Sequence, residues 1–178
     1  MSDKITANTY LDVVQRRFRA MKALAEKAMA QIDEADLLWE PAPRVNSVAV
    51  QVQHLHGNML SRWTDFLTTD GEKPTRERDA EFIPDASWTR EELTAVWEEG
   101  WQCLFSALDA LAPDDLLKQV TIRGEAMSAL DAIERQMSHY AYHVGQIVYI
   151  GKIRKGKDWK YLSIPPGESR KYQPSGRD

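Results

Sequence analysis

The chain has 178 residues, of which 43% are hydrophobic, and its 27 acidic and 23 basic side chains give a formal net charge of −4. This length predicts one domain with a buried core, residues 1–164, and a polar tail, residues 165–178. Basic residues are scattered among acidic ones, which argues against nucleic acid as a partner. No apolar run approaches about 18 residues and the N-terminus has no apolar signal segment, so we expect a cytoplasmic protein without membrane contact. The lone Cys103 excludes an internal disulfide and a thiolate metal cluster.

Four stretches of the sequence have the apolar period of amphipathic helices, with apolar residues three and four positions apart. They cover approximately residues 9–31, 48–67, 87–112 and 128–155. Proline residues at 41, 43 and 113 exclude helix at the connections they occupy. Helices of about three to seven turns predict an all-α fold, and the natural architecture for four of them is a four-helix bundle.

Two of the connections have distinct patterns. Residues 68–87 join the second helix to the third and contain Gly71, Pro74, Pro84 and many charges, without an apolar period. About twenty extended residues can span a helix of roughly 30 Å, so this crossover allows the second and third helices to run parallel. We expect its charged part, Asp70 to Phe82, to be a solvated connector, with a lid that contacts substrate as the less common alternative. Val120 to Met127 alternates around an Arg-Gly pair, which predicts a small β-hairpin before the fourth helix.

Half of the chain's four histidines, His139 and His143, stand one turn apart on the predicted fourth helix. Residues four positions apart share a helix face, so both imidazoles can reach one ion. An isolated pair with this spacing is more often two histidines hydrogen-bonded at a helix interface, so the pair alone is a weak signal. A third imidazole from a facing helix would complete a metal site.

The other two histidines, His54 and His56, lie on the predicted second helix, about 200° apart around its axis. Only one of them can therefore join His139 and His143. His54 shares its flank with the polar residues Gln51, Asn58 and Asp65, which can hold an imidazole in one tautomer, whereas His56 shares its flank with Leu60, Trp63 and Leu67. We predict that His54 is the third ligand.

Three histidine nitrogens would leave a coordination position for water or substrate, which is typical of catalytic sites. Neutral imidazoles suit a divalent metal ion such as Zn²⁺, Ni²⁺ or Fe²⁺. Further residues on the same two helices are candidates to orient an imidazole or the substrate, although each is more often an ordinary surface residue. They are Asn58, Arg62, Gln136 and Gln146. Arg62, Arg76 and Arg78 can recognise a carboxylate, with a solvated ion pair as the commoner role.

Two motifs resemble those of a known family. The run HLHGN at residues 54–58, followed by Ser61-Arg62-Trp63 and by DGEKP at residues 70–74, precedes HYAYHVGQI at residues 139–147. Together they resemble the DinB-like (YfiT-like) superfamily, and within it a branch known as a domain of unknown function. The resemblance spans about Thr6 to Lys155. It implies an up-down-down-up bundle, commonly a homodimer, that holds a divalent ion on His54, His139 and His143.

The resemblance also suggests classes of activity. Characterised relatives include thiol S-transferases that use low-molecular-weight thiols and a maleylpyruvate isomerase, and others are described as metal-dependent hydrolases. We therefore expect a metal-dependent enzyme that attacks a small electrophile with a metal-activated thiolate or water. The alternative is a non-catalytic bundle stabilised by its ion, or a module that binds a small ligand. The expected partners are a small-molecule substrate, with a low-molecular-weight thiol among the candidates, and a second copy of the chain.

Overall fold

A computed structural model describes residues 2–171, with side chains from Thr6 onward. The fold is mostly helical with one small antiparallel hairpin, as the sequence predicted. The helices in the described residues are α1 (Ser2–Met29), α2 (Glu34–Leu38), α3 (Val48–Trp63), α4 (Arg90–Asp109) and α5 (Ala129–Lys155), and the strands are β1 (Gln119–Ile122) and β2 (Glu125–Ser128). Short 3-10 turns cover Arg78–Phe82, Pro113–Leu117 and Gly156–Asp158. Residues 172–178 of the predicted polar tail lie outside the described residues.

Local hydrogen bonds explain where the long helices begin. Ser47, Thr89 and Ser128 each accept a hydrogen bond from the backbone N–H three residues later, which satisfies a donor that the first helical turn leaves free. The second predicted helix ends at Trp63 instead of Leu67, because Asp65 adopts a positive φ of 51° that an α-helix cannot continue through.

The connector between α1 and α3 contains a short helix that the sequence analysis did not predict. This helix, α2, begins at Asp33, whose side chain accepts from the N–H of Asp36. It places Leu37 in the core, where the side chain is almost fully buried. No helix in the described part of the chain is long and apolar enough to cross a membrane.

Helices α3 and α4 pack along a shared face and run in the same direction. His56 Nε2 lies 2.9 Å from Glu99 Oε2, and further along both helices Thr64 Oγ1 lies 3.6 Å from Cys103 Sγ. Gly100 allows this close packing, since a Cβ there would lie 3.2 Å from the Cα of His56. The long connection after α3 therefore returns the chain to the end where α3 began.

Helix α1 runs in the same direction as α5 and opposite to α4. Tyr10 contacts Glu134 and Ala28 contacts Gly151, so α1 and α5 run in the same direction. Lys22 contacts Glu98 and Ile32 contacts Arg90, so α1 and α4 run in opposite directions. Aromatic rings fill the centre between these helices. Phe18 meets Trp63, Trp101 and Tyr140 at centroid distances of 6.0–6.3 Å, mostly edge-on, an arrangement that aromatic pairs favour.

The predicted β-hairpin anchors the loop between α3 and α4. Arg123 and Gly124 form its turn with positive φ angles of 57° and 76°, as a tight two-residue hairpin turn requires. The Asp70 carboxylate accepts from the backbone N–H groups of both residues, at 2.9 and 2.8 Å. The Gly71 N–H donates to the Thr121 carbonyl at 2.8 Å. The start of the loop is thus fixed to the hairpin.

The prediction that residues 70–82 form a solvated connector is wrong for three of them, the buried Gly71 among them. Glu81 is buried, and the side chain of Arg76 is only 4% exposed. The 3-10 turn at Arg78–Phe82 packs against α3 and carries Glu81 under the loop. Charge alone did not indicate this, because a buried carboxylate needs partners that only the folded chain brings to it.

Candidate metal centre

Three histidines from two helices meet beside the cavity described below. His54 comes from α3, and His139 and His143 come from successive turns of α5. His139 Nε2 lies 3.3 Å from His54 Nε2 and 3.1 Å from His143 Nε2. One nitrogen from each residue lies within 4.8 Å of the other two. His54 and His143 are buried, and His139 is partly exposed.

Antiparallel packing of α3 and α5 brings these histidines together. Gln51 near the start of α3 contacts His143, whereas Trp63 at its end donates from Nε1 to the hydroxyl of Tyr140 at 3.0 Å. The three histidine positions follow from the predicted helical faces, because the one-turn spacing on α5 aligns two rings opposite His54.

The outer nitrogens of two imidazoles, their Nδ1 atoms, each lie within hydrogen-bond distance of an acceptor oxygen. His54 Nδ1 donates to Glu81 Oε2 at 2.8 Å, and His143 Nδ1 donates to Gln51 Oε1. With a proton on each Nδ1, the Nε2 atoms of His54 and His143 carry lone pairs. His139 Nε2 can donate to only one of them, so at least one lone pair in the cluster receives no proton from the other two imidazoles.

The spacing of the nitrogens fits a small divalent ion. Zinc–nitrogen bonds are about 2.0–2.1 Å, so two nitrogens on a tetrahedral ion lie about 3.3 Å apart. The two shortest nitrogen separations, 3.3 and 3.1 Å, are close to that value. The hydrogen bonds from Nδ1 of His54 and His143 to a carboxylate and an amide oxygen are also of the kind that metal-binding histidines usually make.

Burial keeps the partly enclosed imidazoles neutral. Burial, together with the neighbouring His143 and His54, lowers the pKa of His139 to about 3. Burial and the neighbouring His54 lower the pKa of His143 to about 4. Both rings are therefore unprotonated at neutral pH, as a metal ligand must be.

Glu81 is the residue of this site that sequence reasoning missed. Besides His54, it accepts from Arg76 Nε at 2.6 Å and from the second terminal nitrogen of Arg76 at 2.7 Å. Burial raises the pKa of Glu81, but the hydrogen bonds from His54 and Arg76 outweigh burial and hold it below its usual range. Glu81 is thus an ionised carboxylate behind His54. It lies in an aperiodic stretch, so no pattern in the sequence could have indicated its place.

The four predicted neighbours of the site all line the cavity, with different contacts. Asn58 Oδ1 accepts from the hydroxyl of Tyr140 at 3.0 Å, which makes it a partner of a core residue. Arg62 is buried and forms an ion pair with Glu72 at 2.8 Å. Gln136 is buried, and its Oε1 has no hydrogen-bond partner among the described residues. Gln146 is exposed and hydrogen-bonds His143.

His56 lies outside the cluster, and two residues predicted to hold the His54 imidazole do not hold it. His56 pairs with Glu99 on the opposite flank of α3 and is not part of the cluster. Asp65 is exposed at the end of α3, so it holds no imidazole. Gln51, grouped with His54 in the sequence analysis, holds His143 instead, because α5 lies across α3 at that position.

A cavity of about 660 Å³ opens beside the histidines. This volume is in the range of small-molecule sites. Its lining contains six arginines and, among the described residues, no aspartate or glutamate. The arginines are Arg44, Arg62, Arg76, Arg78, Arg123 and Arg135. Arginines are thus concentrated around this cavity although the chain has a net charge of −4, and several of them pair with carboxylates behind the lining.

Comparison with known proteins gives a family without an assigned activity. No curated protein matches the chain. A family model described as "Protein of unknown function (DUF1572)" matches residues 5–168, which include all three histidines and the whole loop between α3 and α4. The match covers most of the sequence. The chain therefore belongs to the DUF1572 family of proteins of unknown function.

Proposed function

We propose that the chain is a DinB-like protein that binds one divalent ion, Zn²⁺, Ni²⁺ or Fe²⁺, through His54, His139 and His143. The observation that carries this proposal is the direction of the ring nitrogens. Outer acceptors hold Nδ1 of His54 and His143, and the Nε2 atoms converge. Three neutral nitrogen donors suit these ions.

In this proposal the helices α1, α3, α4 and α5 form an up-down-down-up four-helix bundle. The directions of the helix pairs support it, since α3 runs with α4, α1 runs with α5, and each of these pairs opposes the other. The long loop after α3 is the crossover that two parallel neighbours require. The two histidine-bearing helices face each other in this arrangement.

The activity we propose is that of a thiol S-transferase or a hydrolase acting on a small electrophile. When bound, a divalent ion supplies a nucleophile at neutral pH by lowering the pKa of a coordinated thiol or water. Glu81 and Gln51 hold the rings in one tautomer. Asn58 fixes Tyr140 next to His139 and so keeps α5 in register.

A second candidate is a non-catalytic ion that ties α3 to α5. The same cluster favours it, because its nitrogens come from both helices. The two candidates differ in the coordination they need, since a structural ion is enclosed by protein ligands and a catalytic ion keeps an open position. The cavity beside the histidines supports the catalytic candidate.

The test replaces the native ion with Co²⁺ and follows its visible spectrum while azide or a low-molecular-weight thiol is added. A catalytic site with an open position should change its spectrum on binding, and an unchanged spectrum at saturating ligand supports the structural candidate. The same protein is then assayed for conjugation of a thiol to an electrophile and for ester hydrolysis. His139→Ala should abolish activity, and His56→Ala, outside the cluster, should retain it.

A further inference from the structure

The cavity beside the histidines has two unlike ends. Helix α5 contributes lining residues from Arg135 to Ile153, which at 1.5 Å per residue span about 27 Å. His139 and His143 lie between these ends. Because α3 runs opposite to α5, its Arg62 lies at the Arg135 end and its Gln51 lies next to His143. A ligand along α5 would pass over the histidines.

The end near Arg135 concentrates positive charge that is not fully paired. The nearest carboxylate oxygen to Arg135 is that of Glu125 at 3.9 Å, too far for a hydrogen bond, and the side chain is 45% exposed. Arg123 pairs with Glu72 at 3.1 Å but is 54% exposed. The same Glu72 also pairs with the buried Arg62 at 2.8 Å, so one carboxylate serves both arginines. The exposed guanidinium groups of Arg123 and Arg135 suit a carboxylate or phosphate.

The other end is apolar and open to solvent. Val45, Tyr149 and Ile153 are all more than 40% exposed and line the cavity, and the buried Ile150 forms its floor. Tyr142, also exposed, continues this surface toward the histidines. Large apolar side chains that surround one cavity mouth in this way indicate a ligand with an apolar part. Arg44, beside Val45, is a cation at this end of the lining.

We propose that the cavity binds an elongated amphiphilic anion, with its carboxylate or phosphate at the end formed by Arg62, Arg123 and Arg135, and its apolar chain over Tyr149 and Ile153. The volume of about 660 Å³ accommodates a small organic molecule of this kind. One part of this proposal rests on the proposed function, namely that the bond of the ligand that reacts lies over the histidines. The binding of the anion itself depends on arginines and apolar residues, and it is independent of the ion.

Calorimetric titration with dodecanoate, dodecyl phosphate, butanoate and dodecanol tests this proposal on metal-loaded and on chelator-treated protein. Both twelve-carbon anions should bind at least tenfold more tightly than dodecanol, and whichever anion binds more tightly identifies the head group. Each methylene buried should contribute up to about fourfold in affinity, so butanoate should bind much more weakly than dodecanoate. Metal content is measured in parallel. If the protein contains no metal and still binds the anions, the proposed metal-dependent function fails while the proposal of anion binding stands.

Two variants and a control assign the ends. Arg135→Gln should weaken the binding of both anions roughly tenfold and leave dodecanol unchanged, whereas Tyr149→Ser should reduce the difference between dodecanoate and butanoate. Arg17→Gln changes an exposed arginine on α1 outside the cavity and should have no effect. Both test positions are exposed, so the variants should fold, which circular dichroism checks. Dodecanol binding as tightly as dodecanoate, anion binding that needs the metal, or an unaffected Arg135→Gln would each overturn the proposal.

Discussion

Replacing Glu81 with glutamine tests whether a buried carboxylate in the loop fixes the orientation of His54. Glu81 receives three hydrogen bonds, one from His54 Nδ1 at 2.8 Å and two from Arg76 at 2.6 and 2.7 Å. Glutamine has nearly the same size, but its NH₂ group cannot accept. Either the imidazole or the guanidinium therefore loses an acceptor in Glu81→Gln.

The size of the effect follows from burial and from the role of His54. Loss of the partner behind a metal-binding histidine typically weakens metal affinity 10- to 100-fold. The side chains of Arg76 and Glu81 are 4% and 8% exposed, and breaking a buried ion pair costs about 3 kcal/mol or more. Glu72, 3.4 Å from Arg76, retains part of the pairing, so we expect a loss of about 3 kcal/mol in the free energy of unfolding.

The contribution of Glu81 also depends on pH in a defined direction. Its pKa is lowered in the folded state, so its ionised form stabilises the fold above the ordinary glutamate value of 4.5. This stability is lost as the pH falls from about 4.5 through the folded-state pKa. Glutamine does not titrate, so the stability difference between wild type and Glu81→Gln should be largest at pH 7 and shrink at pH 3.

Urea denaturation of the chelator-treated proteins measures the stability difference, and competition with a chelating dye measures metal affinity. Glu77→Gln makes the same chemical change at an exposed position four residues earlier and should leave both quantities unchanged. If Glu81→Gln binds metal within threefold of wild type and unfolds at the same urea concentration, the carboxylate does not hold His54 and the reasoning is refuted.

Three further predictions concern the ligands, the loop and the assembly. Elemental analysis should find one ion per chain in wild type and His56→Ala and almost none in His54→Ala, His139→Ala or His143→Ala, and a metal-free wild type would contradict the site. The backbone N–H of Glu72, then those of the hairpin turn, hold the pKa of Asp70 well below its usual range. Asp70→Asn should therefore lower the free energy of unfolding by about 1–2 kcal/mol in urea denaturation at pH 7. This difference should shrink as the pH falls below about 3.8, and an equal difference at pH 2 would contradict the prediction. Light scattering should give twice the chain mass of 20.4 kDa, and a mass of 20.4 kDa would exclude the homodimer.

The histidine cluster could be predicted because its members lie on helices. A helix repeats its faces every 3.6 residues, so the spacing of His139 and His143 fixes their common side before any packing is known. The same geometry separated His54 from His56, and the structure places them on opposite flanks of α3. The helical period does not determine how one helix is rotated against another or how closely the two helices pack. For this reason Gln51 was assigned to the wrong histidine.

The loop residues of the site could not be predicted for a physical reason. Residues 76–82 have no apolar period, and a stretch of this charge is normally solvated. Arg76 and Glu81 are nevertheless buried, because each supplies most of the hydrogen bonds that the other needs there. Such a pair is stable only after α3 provides His54 and the loop closes over it. The position of the Arg76–Glu81 pair therefore depends on the complete fold, and no local sequence pattern indicates it.

The cavity itself follows from unequal helix lengths. Helix α3 begins at Val48, only three residues before the Gln51 that contacts His143, so it offers no residue opposite about the last nine residues of α5, which extend roughly 13 Å further. Tyr149 and Ile153 on this overhang remain exposed, and the connector near Val45 forms the facing wall. The predicted spans, residues 48–67 and 128–155, already differ in length. Because antiparallel packing aligns the histidines, the longer helix must extend past its partner, and the ligand cavity opens where that partner ends.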